Sequence, residues 1–305
     1  MTNPSYAAVD WGTTSFRLWL IGADGAVLAE RRASDGMTSA AAAGGFEAVL
    51  ERHLAEAGAS ADTPVIACGM VGARQGWVEA GYIDTPAALA DIAGQAVRVP
   101  GLHRDVRILP GLCQRDGDHP DVMRGEETQL LGATRFAPDA SGLVCMPGTH
   151  SKWVRLAGGR VEGFSTFMTG ELFDVISRHS ILSHTLADAG GFDGSHADFR
   201  AAVASAIDNP ALATNLVFSI RAGQLLQGKD ATASRARLSG TMIGLELAGA
   251  LSFGAVSEAI LVVSGGLGGL YEAAFTVAGL SARTVDADAT VREGLAHAAR
   301  QIWAA

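Results

Sequence analysis

An α/β fold made of two copies of one plan is predicted by three features of this 305-residue sequence. A strand, a small-residue turn and a second strand open the chain. The same unit returns after residue 140. Around both units, short strands of buried type alternate with segments of helical periodicity.

The first unit is read from Tyr6–Val9 and Phe16–Ile21, which flank Asp10-Trp11-Gly12-Thr13-Thr14-Ser15. Asp24-Gly25 then turns the chain into a third strand, Ala26–Arg32, completing a meander. Phe46, Val49, Leu50, Leu54 and Ala57 recur at helical spacing. Pro64–Cys68 reads as a buried strand ending in Gly69-Met70-Val71-Gly72, Gly76–Ala87 as a long loop, and Val106–Leu109 as a short strand. Glu126–Arg135 is predicted to be a helix closed by Pro138.

The second unit runs from the strand Leu143–Met146 through the turn Pro147-Gly148-Thr149-His150-Ser151 to the strand Lys152–Leu156. Gly158-Gly159 leads to a third strand, Arg160–Phe164. Helices are predicted at Leu172–Arg178, Phe199–Ile207, Leu216–Leu226 and Leu238–Leu251. The strand Ala259–Val263, a glycine-rich turn and the helices Leu270–Ala278 and Thr290–Trp303 complete the chain.

Composition narrows the class. Hydrophobic residues make up 48% and charged residues 18%, enough apolar material for two cores. The net charge is -9 and no run of Lys or Arg occurs, which speaks against a nucleic-acid partner. Cys68, Cys113 and Cys145 lack metal-ligand spacing, and an odd number suits a reducing compartment. Apolar runs such as Ala259–Val263 fall far short of the roughly 20 residues of a membrane span. A strand begins by Tyr6, leaving no room for a signal peptide, so a cytoplasmic location is expected.

Three segments carry the chemistry. In the first turn, Gly12, Thr13 and Thr14 offer N–H groups and hydroxyls to phosphate oxygens, and Asp10 at its mouth can hold Mg²⁺. An ordinary hairpin satisfies the same pattern. The equivalent turn of the second unit carries Gly148, Thr149, Ser151 and Lys152, suited to the far side of a triphosphate. The third segment runs from Val263 through Gly265, Gly266 and Gly268 into a helix, where bare backbone can approach a phosphate or a flat ligand. A dinucleotide fingerprint would need a further glycine at 271, where Tyr271 stands. Gly223–Lys229 has the spacing of a P-loop, but Asp230 replaces the required hydroxyl residue and a helical pattern precedes it.

In this order, the three segments resemble the phosphate-1, phosphate-2 and adenosine motifs of the acetate and sugar kinase, heat-shock chaperone and actin superfamily. Asp10–Thr14, Gly69–Trp77, Met123–Gly132, Pro147–Trp153 and Phe167–Phe173 together are similar to the 2-dehydro-3-deoxygalactonokinase family, from residue 7 to about 300. The resemblance implies two duplicated ribonuclease-H-like (actin-like ATPase) domains around a central cleft. They would span residues 1–135 and 136–305, with the last helix packing back on the first. It also implies ATP and Mg²⁺ as cofactors, a small sugar-acid substrate, and phosphorylation of 2-keto-3-deoxygalactonate on its 6-hydroxyl in galactonate breakdown. The epimeric 2-keto-3-deoxygluconate stays open as acceptor, as does the oligomeric state. A nucleotide-gated binding protein of the same fold and a dinucleotide-dependent oxidoreductase are the rival readings.

In related sugar kinases the base is an acid at the start of the helix that links the domains, which points to Glu126 here; Glu127 lies about 100° further round that helix. A substrate carboxylate calls for a cation, and Arg74 and Arg124 are the candidates, with Lys152 available to substrate or phosphate. Glu171 is a candidate acceptor for sugar hydroxyls across the cleft. One departure stands out: the phosphate-2 turn begins Pro147-Gly148-Thr149, where the superfamily usually has an aspartate.

Overall fold

Strand β1 (Pro4–Trp11) outruns its apolar stretch because Asp10 and Trp11 go on pairing with Arg17 and Phe16 of β2 (Phe16–Gly22). The hairpin is therefore tight, and only residues 12–15 lie outside it. β3 (Val27–Ala33) pairs antiparallel with β2 and leaves most of its side chains exposed at the sheet edge. Helix α1 (Phe46–Ala57) buries Val49, Leu50, His53 and Leu54 and stops at Gly58, whose φ of 82° is the left-handed cap that glycine adopts without strain. β4 (Val65–Cys68) and β5 (Val106–Ile108) then add parallel strands on the other side of β1. The order is β3-β2-β1-β4-β5, with the short strand Val97–Arg98 beyond it. Trp11, Phe16, Leu18, Leu54, Val71 and Ile108 belong to the core of this unit.

Helix α2 (Glu126–Phe136) follows, with Glu126 and Glu127 in its first turn. The second meander comprises β6 (Gly142–Met146), β7 (Ser151–Ala157) and β8 (Arg160–Phe167), joined by connections too short for parallel crossovers. Five helices come next or interleave: α3 (Thr169–His179), α4 (Ala197–Asp208), α5 (Ala213–Gln227), α6 (Ala231–Leu251) and α7 (Leu267–Val277). β9 (Glu258–Val263) and β10 (Ser281–Asp286) pair in parallel beside β6. The order β8-β7-β6-β9-β10 repeats that of the first sheet, strand for strand. Trp153, Phe199, Leu247, Leu261, Tyr271 and Phe275 belong to this second core. The chain ends in α8 (Ala287–Trp303).

The computed structural model describes residues 4–136, 141–252 and 256–303. It separates into two compact units, Met1–Ser141 with Leu156–Gly163 and Ala287–Ala305, and Gly142–Arg155 with Phe164–Asp286. The far end of the β7–β8 hairpin thus belongs to the first unit, where β8 pairs with Ala87–Ala88. Within that unit α2 and α8 cross on two glycines. A methyl group on Gly132 would lie 1.8 Å from the Thr290 carbonyl oxygen, and one on Gly294 would lie 1.9 Å from that of Thr128.

Several elements differ from the sequence reading. The predicted loop Gly76–Ala87 contains the strand Tyr82–Asp84, which joins Gly111–Gln114 and Asp121–Met123 in a small sheet. β10 has no apolar alternation to reveal it, since it is an edge strand with no buried side chain. α6 starts well before Leu238 because Asp230 caps it, accepting the Ala233 N–H at 2.7 Å. The segment with P-loop spacing is the end of α5 followed by its left-handed cap Gly228. Pro138 lies outside the described residues. All three cysteines are free and buried, and no helix among the described residues is long and apolar enough to cross a membrane.

Candidate active site

The first turn is held from behind. Gly12 N–H closes on the Ser15 carbonyl at 2.9 Å, while Met37 and Thr38 donate backbone N–H groups to the carbonyls of Gly12 and Thr13. Gly36 has to be a glycine, because a methyl there would sit 2.4 Å from the Thr13 oxygen. The loop behind is anchored by Asp35, whose carboxylate meets His53 at 2.8 Å and Arg52 at 2.6 Å. The Asp35 carbonyl accepts Trp11 Nε1–H at 2.9 Å. Thr13 and Thr14 are left exposed, their hydroxyls available.

Asp10 keeps 16% of its side chain exposed and lies 3.6 Å from Arg17, which is itself paired with Asp288. Asp288 also binds Arg32 at 2.7 Å. Burial pushes the Asp10 carboxyl above its ordinary range, against the pull of Arg17. Among the described residues its Oδ1 receives only the weak thiol donor of Cys68, at 3.9 Å. A carboxylate oxygen so thinly satisfied, beside exposed hydroxyls, is a suitable donor for a hard cation that keeps several waters. No cluster of three acidic, histidine or cysteine side chains gathers among the described residues, so the turn offers one carboxylate and not a cage.

The start of α2 lies against the end of β4. Gly125, at φ 103°, comes so near Gly69 that an added methyl would be 3.4 Å from its Cα. Glu126 Oε2 accepts the Arg124 N–H at 3.0 Å. Glu127 turns inward, is fully buried, and accepts the Gly125 N–H at 2.6 Å and the Thr128 hydroxyl at 2.8 Å. Burial and the neighbouring Glu126 raise its carboxyl to about 7. Sequence reasoning placed Glu127 merely off-axis; its burial beside Thr128 is a tertiary fact.

Arg124 stacks its guanidinium 4.4 Å over the Tyr82 ring. Its Nη2 donates to the Gly81 carbonyl at 3.3 Å, but Nε and Nη1 are buried and find no acceptor among the described residues. Buried guanidinium N–H groups without partners are costly, and an anion would satisfy them. Arg74 is exposed, just beyond the Met70–Gly72 turn.

In the second unit a cavity of about 790 Å³ is bordered by Gly148 and Thr149, Gly170 and Glu171, and Gly266. Two of the three predicted glycine segments thus meet at one place. Gly170 packs so closely on the turn that a methyl would be 2.6 Å from the Gly148 oxygen. Gly265, at φ 70°, and Gly266 face open space at the start of α7. The wall opposite comes from α6, where Arg235, Ser239, Met242 and Ile243 recur at helical spacing. That spacing was present in the sequence, but nothing in it said which face of α6 meets a cavity.

Four assignments change. Ser151 is fully buried, not a phosphate contact: its hydroxyl lies 3.1 Å from Tyr271 Oη, and Tyr271 donates to Glu246 at 2.7 Å. Trp153 Nε1–H reaches the other Glu246 oxygen at 2.8 Å, so Ser151 belongs to a buried network that braces the turn. Gly268 lies inside α7, where a methyl would be 3.1 Å from Val263, and so serves helix–strand packing. Glu171 is paired with His150 of the same turn and lines the cavity of its own unit. Lys152 is buried in β7 and is not among the residues bordering that cavity.

Paired sheets of one strand order, each with a small-residue turn after its first strand, define the actin-like ATPase fold. The activator of 2-hydroxyisocaproyl-CoA dehydratase from Clostridium difficile, solved with bound ADPNP, shares it at a TM-score of 0.52 and 14% identity, over 97% of this chain and 94% of that one. Within that class, residues 10–298 match the model of the 2-keto-3-deoxy-galactonokinase family, and the chain belongs to it. The Rhizobium meliloti (strain 1021) protein named Probable 2-dehydro-3-deoxygalactonokinase DgoK1 is 65% identical over 98% of this chain and 97% of its own. The Escherichia coli (strain K12) 2-dehydro-3-deoxygalactonokinase is 36% identical over 96% and 98%. A crystal structure from Sinorhizobium meliloti carrying the same enzyme designation superposes with a TM-score of 0.95 at 65% identity, over 98% of this chain and 99% of that one.

Proposed function

We propose that this chain transfers the γ-phosphoryl group of ATP to the 6-hydroxyl of 2-dehydro-3-deoxy-D-galactonate, giving the 6-phosphate and ADP in galactonate catabolism in the cytoplasm. The observation that carries this reading is the full-length likeness to kinases named for that substrate.

The chain's residues divide the work. Gly12, Thr13 and Thr14 in one turn and Gly148 and Thr149 in the other bind phosphate oxygens through N–H and hydroxyl groups. The backbone of Gly265 and Gly266 and the α6 wall of the cavity receive the adenosine. Asp10 would hold Mg²⁺, which when bound offsets negative charge on the phosphates. Arg124, whose Nε and Nη1 find no acceptor among the described residues, grips the substrate carboxylate, and Arg74 assists. Glu126 accepts the proton of the 6-hydroxyl as its oxygen bonds to phosphorus and the bond to the β-phosphate oxygen breaks.

The test is coupled ADP release with Mg²⁺-ATP and the galactonate-derived acid, beside 2-keto-3-deoxygluconate and a blank without acid. Release that requires the galactonate-derived acid is expected. Equal release in the blank would assign an ATPase instead, and preference for the gluconate-derived acid would reassign the substrate.

A further inference from the structure

The small three-stranded sheet of the first unit brings Tyr82 and Arg124 to the same end. Tyr82 opens its strand opposite Gly111, and Met123, opposite Leu112, closes another, so that Arg124 is the next residue out. There the guanidinium lies 4.4 Å over the Tyr82 ring. Gly111 leaves room for that ring, since a methyl there would lie 2.8 Å from its Cδ1 and Cε1. Gly72 leaves room for the cation, since a methyl there would lie 3.0 Å from Nη1. The Gly81 carbonyl accepts the Gly111 N–H at 3.1 Å and also Nη2–H at 3.3 Å, which ties the guanidinium to the sheet.

We propose that Tyr82 is a positioning residue for the acid acceptor: its ring holds the Arg124 guanidinium flat, with its donors turned edge-on to the carboxylate of a sugar acid. The inference rests on the reading of Arg124 as the carboxylate grip. A guanidinium donates only in its own plane, so its faces can stack while its edges bind. An acidic side chain in place of Tyr82 would hold the cation too, but it would neutralise the charge and occupy the donors. An aromatic face attracts the cation and leaves them open, and Nε and Nη1 indeed find no acceptor among the described residues. A stack also lets the group turn in its plane. A carboxylate arriving beside Nη2, whose bond to Gly81 is exposed, can therefore draw a covered N–H into a paired contact. Tyr82 is 38% exposed, so its ring borders that approach. A neutral sugar would leave the N–H groups unanswered, and that cost is what selects for an acid.

The test reads acid binding by calorimetry, with the KM and kcat of ADP release, in the same set of full-length variants. Tyr82→Leu should raise Kd and KM for 2-dehydro-3-deoxygalactonate about tenfold, with kcat and the KM for ATP within about threefold of the parent. Tyr82→Phe keeps the ring and should restore the parental KM. Arg124→Ala should raise KM for the acid by about a hundredfold. Adding Tyr82→Leu to it should change KM by less than about threefold, because the ring acts only through the cation. Effects that multiply in the double variant, or a rise in Tyr82→Phe equal to that in Tyr82→Leu, overturn the proposal. Should Tyr82→Leu fail to fold, Arg124→Ala decides: guanidinium ion at tens of millimolar should restore acid binding and methylammonium should not, and an equal response to both overturns it. Parental acid binding in Arg124→Ala would remove the grip and this proposal with it, while acid-dependent ADP release in the parent would keep the kinase reading. Acid binding that follows Tyr82 and Arg124 as expected, without acid-dependent release, would uphold the seat and fail the kinase reading.

Discussion

Two adjacent glutamates meet opposite fates at the start of α2, and the difference is measurable. Glu126 stays partly exposed and bonded to the backbone of its own turn, while Glu127 is sealed inside. If Glu126 takes the proton, Glu126→Gln lowers kcat by about a hundredfold or more with ATP affinity retained. Glu127→Gln, which keeps one acceptor for Gly125 or Thr128, lowers it by less than about tenfold. Turnover kinetics with both variants separate these roles, and the reverse ranking would make Glu127 the base. Glu127 also sets a stability trend. Its carboxyl is raised from 4.5 to about 7, so the folded chain holds a proton that the unfolded chain releases. Stability from this group is therefore intact below pH 4.5, falls as pH rises through 7, and is then lower by about 3 kcal/mol. Urea denaturation at pH 5 and pH 8 should show a smaller loss in Glu127→Gln than in the parent. For the metal, Asp10→Asn should cut kcat by about 10²–10³ and weaken the response of ATP binding to added Mg²⁺, read by calorimetry with and without the ion.

At the scale of elements, the crossing of α2 on α8 and the bracing of the second turn carry the sharpest expectations. Gly132→Ala would drive a methyl into the Thr290 carbonyl, and the helices must separate to admit it. Overpacking of a tight contact costs about 1–3 kcal/mol, occasionally more, so a chemical melt should show at least that loss. Glu246→Ala would strand Tyr271 Oη–H and Trp153 Nε1–H in the interior, a loss of about 1–3 kcal/mol for each unsatisfied group. Because the same network reaches Ser151, the KM for ATP should rise in this variant more than the KM for the sugar acid. Equal rises would reduce the network to general packing. The meander strands were legible from residues such as Ala7, Val9 and Leu18, whose apolar character fits their complete burial. β10 was not, since an edge strand without buried side chains writes no alternation. The small sheet through Tyr82–Asp84 was hidden for a related reason: strands of three or four residues are too short for a period to emerge.

At the scale of the whole molecule, the cavity proposed to receive the adenosine lies wholly in the second unit. A nucleoside without phosphates should therefore protect α6 and α7 from amide exchange and leave the first unit unchanged; protection of β1 or α2 by adenosine alone would contradict this. The sequence by itself determined the duplicated meander, its two small-residue turns and the glycine segment, because turns and buried strands are written in local residue types. It also determined the family, through strings long enough to be specific. The tertiary structure alone decided that Ser151 points into a buried network, that Gly268 serves packing, and that Glu127 is sealed off while Nε and Nη1 of Arg124 find no acceptor among the described residues. Burial and partnership depend on which elements meet, and residues far apart in the chain, such as Ser151, Glu246 and Tyr271, acquire their roles only when three different elements close around them.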